Sequence, residues 1–396
     1  MPQPHVYTIG VEEEFFVFHV ATRNVIRRRD NRFLAAIKKR LGNRVTPELL
    51  QSQIEVVTPP CDCTRDIRAH LAECRTGLAD EGKTLGLGIA AVGTFPLAYW
   101  REQSPTPKER YDTVMDDLQM LGQRNMMCGM HVHVAVRDPA QRIPIMQRAV
   151  PYLPLLLALS TSSPFWEGHR TGLHGYRLAA YDELPRTGLP DRFASGEEYD
   201  EYIAALTSAG VIPDASHIWW AIRPSLAHPT LELRIADVCT RLDDAMAITA
   251  LFRCLIRAIE RDGESFQPLD RVGHAITEEN KWRAQRHGVT AAFIDPFGRG
   301  TITTSEWLER LLERLAPDIA ALESENDVAL ARAIVAHGTS ADRQLDIYRN
   351  AKTAGRSKLN ALREVVDWAA RTTAGLNEFA PSGAGPYAGR PPTTPS

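Results

Sequence analysis

A chain of 396 residues, 44% of them hydrophobic, with 46 basic against 49 acidic side chains, has an ordinary globular composition and enough apolar content for a large core. The formal net charge of -3 provides no global field for nucleic acid or an anionic membrane, so an anionic substrate must be met by local basic groups. Six cysteines are too sparse for a disulfide scaffold, and Cys61-Asp-Cys63 lacks the spacing of a zinc or redox pair, so reduced thiols and a cytoplasmic location are expected.

No basic stretch followed by an apolar one opens the chain, and no signal peptide is expected. The first informative stretch is Gly10-Val11-Glu12-Glu13-Glu14-Phe15-Phe16-Val17-Phe18, three carboxylates entering an apolar strand. Strand alternation puts Glu12 and Glu14 on one face, roughly 6.5 to 7 Å apart, and Glu13 on the other. Asp30 and Gly42 cap a short helix around Phe33 to Leu41. Gln53 to Val57 alternates as a second strand, with Glu55 on the face of Gln53 and Val57, ended by Pro59-Pro60. A long helix capped by Thr64 and closed by Gly82 buries Ile67, Leu71, Cys74 and Leu78. Leu85 to Phe95 is expected as a buried strand and Pro107 to Leu121 as one helix.

Met126 to Val136 then alternates strictly, with His131 and His133 on one face and Val132, Val134 and Val136 on the other. A proline-interrupted apolar helix runs to about Ser160; its most apolar part, Leu153 to Leu159, is too short to span a bilayer. Residues 164–192 are rich in Gly, Pro, Arg and aromatics without a period, the signature of a functional irregular segment. Ser195 and Glu198 form a capping box for a helix to Ala209, and strands are expected at His217 to Ile222 and Thr230 to Ala236. On the latter, Glu232 and Arg234 share a face opposite Leu231, Leu233 and Ile235. Thr240 and Asp243 suggest a second capping box, Thr277 starts a further helix ending near Gly288, and the pattern is helical over about 240–375. Residues 380–396 have the composition of a disordered tail.

Four separate strands thus place ionisable groups on one face: Glu12 and Glu14, Glu55, His131 and His133, and Glu232 with Arg234. Taken singly, a His-x-His pair is ordinarily structural, and a Glu-x-Arg pair is an ion pair of roughly 0 to 1 kcal/mol when exposed. Taken together on otherwise apolar strands they point to a shared inward site, because unpartnered buried charges are costly. Carboxylates outnumber imidazoles, which favours Mg²⁺ or Mn²⁺ over zinc, and carboxylate-held magnesium usually accompanies phosphates. No Walker A loop, dinucleotide fingerprint or Gly-x-Ser-x-Gly elbow is present; Arg170, Arg177 and Arg186 are the available partners for phosphate or carboxylate. Two other readings remain: a zinc hydrolase built on His131, His133 and a carboxylate, and a catalytically idle relative that binds ATP.

These residues lie in motifs that resemble the YbdK-type carboxylate-amine ligases, the second glutamate-cysteine ligase family of the glutamine synthetase and glutamate-cysteine ligase superfamily. The similarity runs over residues 7 to about 290, through Gly10-Val11-Glu12-Glu13-Glu14-Phe15, Gln53-Ile54-Glu55-Val56-Val57-Thr58-Pro59, Gly129-Met130-His131-Val132-His133-Val134, Ser163-Pro164-Phe165-Trp166, Tyr176-Arg177, Leu184-Pro185-Arg186-Thr187-Gly188, Leu231-Glu232-Leu233-Arg234 with Asp237, and Glu279-Asn280-Lys281-Trp282-Arg283-Ala284. The resemblance implies an α+β fold, a central antiparallel sheet curved into a funnel with helices outside, in one catalytic domain over residues 1–379. It implies an ATP-dependent ligase joining the γ-carboxylate of glutamate to an amine such as cysteine, with Mg²⁺ or Mn²⁺, and a homodimer. It assigns Glu12, Glu14, Glu55, His131 and Glu232 to metal, with Glu48 as a sixth ligand although its own position suggests a solvated charge. Arg234, with Glu55 and Glu232, is expected in catalysis, and His133, Arg177, Arg186 and Asn280 in nucleotide or substrate contact.

Overall fold

The apolar run after Gly10 forms β1 (Ile9–His19), the strand on which the sheet is built. The computed structural model describes residues 7–376, so the expected tail at 380–396 lies outside the described residues. As expected, Asp30 caps α1 (Asn31–Leu41) by accepting from the Arg32 amide, and Gly42 ends it with φ 64°. β2 (Val45–Pro47) and β3 (Gln53–Val57) follow, then α2 (Thr64–Thr84), which buries Ile67, Leu71, Cys74 and Leu78. Its cap position is Cys63 rather than Thr64, and Gly82 lies inside the last turn. β4 (Leu87–Ala90) is shorter than the expected 85–95. The single helix expected over 107–121 is two, α3 (Glu109–Leu118) and α4 (Met120–Gln123), broken at Gln119, whose φ of 50° is incompatible with a continuous α-helix.

β5 (Met130–Ala135) carries both histidines. α5 (Arg142–Ala149) and α6 (Leu153–Ser160) join through short 3₁₀ turns into a run, Pro139–Ser160, that by length and composition could cross a membrane; 89% of its apolar 18-residue window is buried inside the protein, as in a core helix. The irregular segment contains a small hairpin, β6 (Phe165–Trp166) with β7 (His169–Arg170), and a short helix, α7 (Tyr176–Tyr181). Ser195 caps α8 (Gly196–Ser208) by accepting from the Glu198 amide.

The expected strand at 217–222 forms later, as β8 (Ile222–Pro224), and its partner is β9 (Thr230–Leu233). α9 (Leu242–Arg261) lacks the expected capping box: the Thr240 hydroxyl instead donates to the Ala91 carbonyl and pairs with Ser340. α10 (Arg271–His287) is capped by Asp270 and starts six residues upstream of Thr277, so Thr277 lies mid-helix with its hydroxyl on the Gly273 carbonyl. A hairpin, β10 (Ala292–Ile294) with β11 (Thr301–Thr303), interrupts the expected helical region before α11 (Thr304–Ala321), α12 (Glu325–His337), α13 (Ser340–Thr353) and α14 (Lys358–Thr373).

The main sheet has the order β2-β3-β1-β5-β9-β8, every pair antiparallel, and β4 pairs with the later part of β1. Its back face is apolar, with Val11, Phe15, Ile54, Val132, Leu231 and Leu233 buried against helices that include α2 and α9. Glu13 points there too. It is fully buried and forms a two-bond pair with Arg75 of α2, at 2.5 and 2.9 Å. Two carbonyls, of Cys239 and Thr240, take further guanidinium donors, so this buried charge is compensated. Strand alternation therefore sends Glu13 to the core and leaves its two neighbours on the front.

Candidate active site

Register alone assembles the front face. Glu14 pairs with Glu55 and Glu55 with Thr46; Glu12 pairs with His131; His133 pairs with Glu232, and Glu232 with Arg223. The polar side chains form a staggered row across six strands. Ligand atoms come within 4.8 Å of one another in three groups: Glu14, Glu48 and Glu55; Glu12, Glu55 and His131; and Glu12, His133 and Glu232. Glu55 and Glu12 each belong to two groups, so the three are links of one chain. Glu48 corrects its sequence-only reading: the loop after β2 turns it inward, and its carboxylate accepts from the Leu49 amide at 3.0 Å.

The two ends of the row are charged differently. At the Glu48 end the Arg234 charge offsets only part of the carboxylates' mutual repulsion. Burial, then the neighbouring Glu14 charge, pushes Glu48 up to about 8. Burial and the charges of Glu48, Glu12 and Glu14 push Glu55 well above the usual carboxylate range, against a 2.8 Å hydrogen bond from the Thr46 hydroxyl. At the other end burial also opposes ionisation of Glu232, but Arg234, Arg223 and the histidines outweigh it and hold the carboxyl well below its usual range. Arg223 bonds it at 2.8 and 3.2 Å, and Arg234 contacts it as well. Glu12 is likewise held low: burial works against the charge, and hydrogen bonds from His131 and His133 overcome it.

His131 Nδ1 lies 3.1 Å from Glu12. Burial and then Arg234 depress the imidazole, so it is neutral near pH 7, and with the proton on Nδ1 the lone pair sits on Nε2. That Nε2 is buried without a hydrogen-bond partner in the structure. An orphaned imidazole nitrogen among carboxylates that resist ionisation fits a divalent cation, and the oxygen-rich donor set fits Mg²⁺ or Mn²⁺ better than zinc.

A cleft of about 350 Å³ opens over the Glu48 end, lined by Glu12, Glu14, Glu48, Glu55, His131 and Arg234 among others. Arg234 lies just past β9, 3.1 Å from the Tyr181 hydroxyl, with its Nε unengaged. Arg177, on the first turn of α7, also reaches the cleft. It donates to the carbonyls of Ala236 and Arg234 at 3.1 and 3.4 Å while its Nε stays unpartnered. Gly129 makes room for it: a Cβ there would stand 2.7 Å from the guanidinium carbon.

Three expected contact residues sit elsewhere. His133 lies beyond Glu12, bonded to Thr230 at 3.0 Å, and lines a separate recess with His228. Arg186 donates to the His217 carbonyl and stacks on the Trp219 ring, 5.5 Å from its centroid, so it meets the cleft only through Trp219. Asn280 is a correction. Its amide donates to the Ile294 carbonyl at 2.7 Å and accepts from the Ile294 amide at 2.9 Å, fastening β10 to α10 away from the cleft. Arg170, in β7, is exposed and does not line the cleft. Sequence reasoning missed Arg223, Lys108, Tyr111 and Trp219. Arg223 was detectable only as the cross-strand partner of Glu232, which needed the β8 register; the others come from loops and a helix with no motif.

An antiparallel sheet with a row of carboxylates and imidazoles on its front face, beside an arginine, is an arrangement that could hold divalent cations, as enzymes of phosphoryl and acyl transfer do. The chain matches the sequence model of glutamate-cysteine ligase family 2 over residues 8–365. Curated relatives provisionally named glutamate-cysteine ligase 2 include one from a Bradyrhizobium species, 47% identical over 343 residues, covering 87% of this chain and 84% of the relative. Another, from Rhodospirillum rubrum, is 44% identical over 366 residues, covering 91% and 94%. Among solved structures, a glutamate-cysteine ligase from Francisella tularensis in complex with AMP superposes with a TM-score of 0.67 at 11% identity, covering 95% of this chain and 96% of that one. A bifunctional glutathione synthetase from Pasteurella multocida gives 0.68 at 15%, covering 93% and 53%. The chain belongs to glutamate-cysteine ligase family 2, and it is an enzyme that forms C–N bonds. The hydrolase and idle-relative readings give way to that membership.

Proposed function

We propose that this enzyme is an ATP-dependent carboxylate-amine ligase that activates the γ-carboxylate of glutamate as an acyl phosphate and joins it to an amine, cysteine or another, with Mg²⁺ or Mn²⁺. The observation that carries the reading is the chain of three linked ligand groups, sharing Glu12 and Glu55, that ends beside Arg234. The AMP bound by the Francisella ligase supports an adenine nucleotide as co-substrate. In this reading residues 1–379 act as one catalytic unit in the cytoplasm.

Divalent cations held by Glu12, Glu14, Glu48, Glu55, His131 and Glu232 would supply charge neutralisation for the ATP phosphates. The protein's own groups do the rest. A γ-carboxylate oxygen of glutamate attacks the γ-phosphorus of ATP and ADP leaves. Arg234, fixed by Glu232 and Tyr181, offers its remaining donor to the charge developing on the phosphoryl oxygens. The amine nitrogen then attacks the acyl carbon, and phosphate leaves with the former carboxylate oxygen. The fixed strands hold the reactants in register along the row.

The test is a screen of phosphate release from ATP with pairs of amino acids and Mg²⁺ or Mn²⁺. Glutamate-containing pairs are expected to stimulate release. Release indifferent to glutamate would remove the glutamate assignment.

A further inference from the structure

The cleft has two chemically distinct halves, and the mechanism above uses only one. Beyond the carboxylates, Tyr111, Val114 and Leu118 line it, at spacings of three and four along α3, which is one helix face. An apolar stripe on a surface helix ordinarily packs into the core. Here Val114 and Leu118 stay out of the main apolar cluster and turn to the cleft, whose wall Met127, Leu184 and Trp219 complete.

We propose that this wall binds the substituent of the amine acceptor, and that the acceptor is an amine with an extended apolar or aromatic side chain rather than one as small as cysteine. This rests on the ligase reading above. Seven residues of helix give the stripe a length of roughly 10 Å, which a single methylene and thiol cannot cover. Glutamate does not match it either, since that substrate is polar at both ends with two methylenes between. A purine base would be read along its edge by donors and acceptors; in this cleft those are Lys108, Asn125 and Ser216 among others, whereas Val114 and Leu118 carry none and the Tyr111 hydroxyl donates to the Pro47 carbonyl at 3.1 Å. The acceptor nitrogen must still reach the acyl carbon at the carboxylate row, and the wall runs up to that row within the same cleft. Arg186, stacked on Trp219, becomes a positioning residue that holds one side of the wall.

The experiment measures ligation to glutamate with leucine, phenylalanine, phenethylamine, cysteine and serine, in the wild type and in Val114→Thr. Val114 is half-buried and outside the core, and a thermal melt of the variant checks that it folds. The apolar amines are expected to show the higher kcat/KM. V114T is expected to raise their KM by about tenfold or more, leaving KM for ATP and glutamate unchanged. Cysteine or serine outperforming every apolar amine, or a V114T effect confined to KM for ATP or glutamate, would overturn the proposal. Calorimetric titration of phenethylamine keeps the two readings apart: with no turnover for any pair the ligase reading fails, while apolar binding weakened in V114T still identifies the wall. Binding unchanged in V114T overturns the wall assignment itself.

Discussion

Glu14 and Glu55 stand opposite each other in the β1–β3 ladder, and Glu48 brings a third carboxylate into the same 4.8 Å group. Burial, together with the Glu14 charge, raises both Glu48 and Glu55, so in the proposed reading a bound cation would take the place of the protons they otherwise hold. Glu55→Gln is therefore expected to abolish metal-dependent turnover and, at pH 8 without metal, to raise the melting temperature. Circular dichroism melts and a ligase assay check both, and an active variant would take Glu55 out of the site.

Glu232→Gln is expected to behave oppositely in stability. Its carboxylate is the counter-charge of both Arg223 and Arg234, and all three are largely buried. Removing that charge is expected to cost about 3 kcal/mol or more in denaturant unfolding as well as activity.

The pH dependence of stability follows from Glu48. Its folded value, about 8, lies above the ordinary 4.5, so the folded state holds the proton more tightly than the unfolded chain. That contribution is complete below about pH 4.5 and is lost as pH rises through about 8. Glu12 and Glu232, held low, act in the opposite sense, but their contribution is lost only in acid, below the ordinary carboxylate range. Metal-free protein is thus expected to lose melting temperature between pH 5 and 8, and Mg²⁺ to restore it most at the upper end. Metal affinity is expected to rise over the same interval as protons leave the ligands. A flat profile with and without Mg²⁺ would contradict the assignment.

Two of the three consecutive glutamates, Glu13 and Glu14, separate by substitution. Glu13→Ala leaves Arg75 buried without its counter-charge and is expected to cost about 3 to 5 kcal/mol of stability. Glu14→Ala is expected to weaken Mn²⁺ binding instead, with little loss of stability, as read by calorimetry on both variants.

Arg234→Lys is expected to lower kcat by about 10² to 10³, because the three donors of one ammonium nitrogen cannot span Glu232, Tyr181 and the phosphoryl oxygens as the wider planar fork does. A near-wild-type kcat would make Arg234 a structural partner of Glu232.

Much of this site is legible in the sequence because strands have a period of two. Alternation alone places Glu12, Glu14, His131, His133 and Glu232 on one face and dismisses Glu13 to the other, and the antiparallel pairing of those strands joins the faces. What alternation cannot supply is register and loop direction. Arg223 depends on which residue of β9 it meets, and Glu48 on how the chain turns after Pro47. Asn280 sat in a family motif and yet fastens a hairpin, because β10 and β11 are too short to be seen in a helical background. The Thr240 box failed for a tertiary reason: a hydroxyl that could cap α9 finds Ala91 and Ser340 instead.

The most direct test of the central claim is the fate of one oxygen atom. Glutamate labelled with ¹⁸O in its γ-carboxylate, incubated with ATP, Mg²⁺ and an accepted amine, is predicted to transfer one label to each phosphate released, in step with amide formation. Phosphate that draws its fourth oxygen from water, with the label retained on glutamate, would contradict activation through an acyl phosphate.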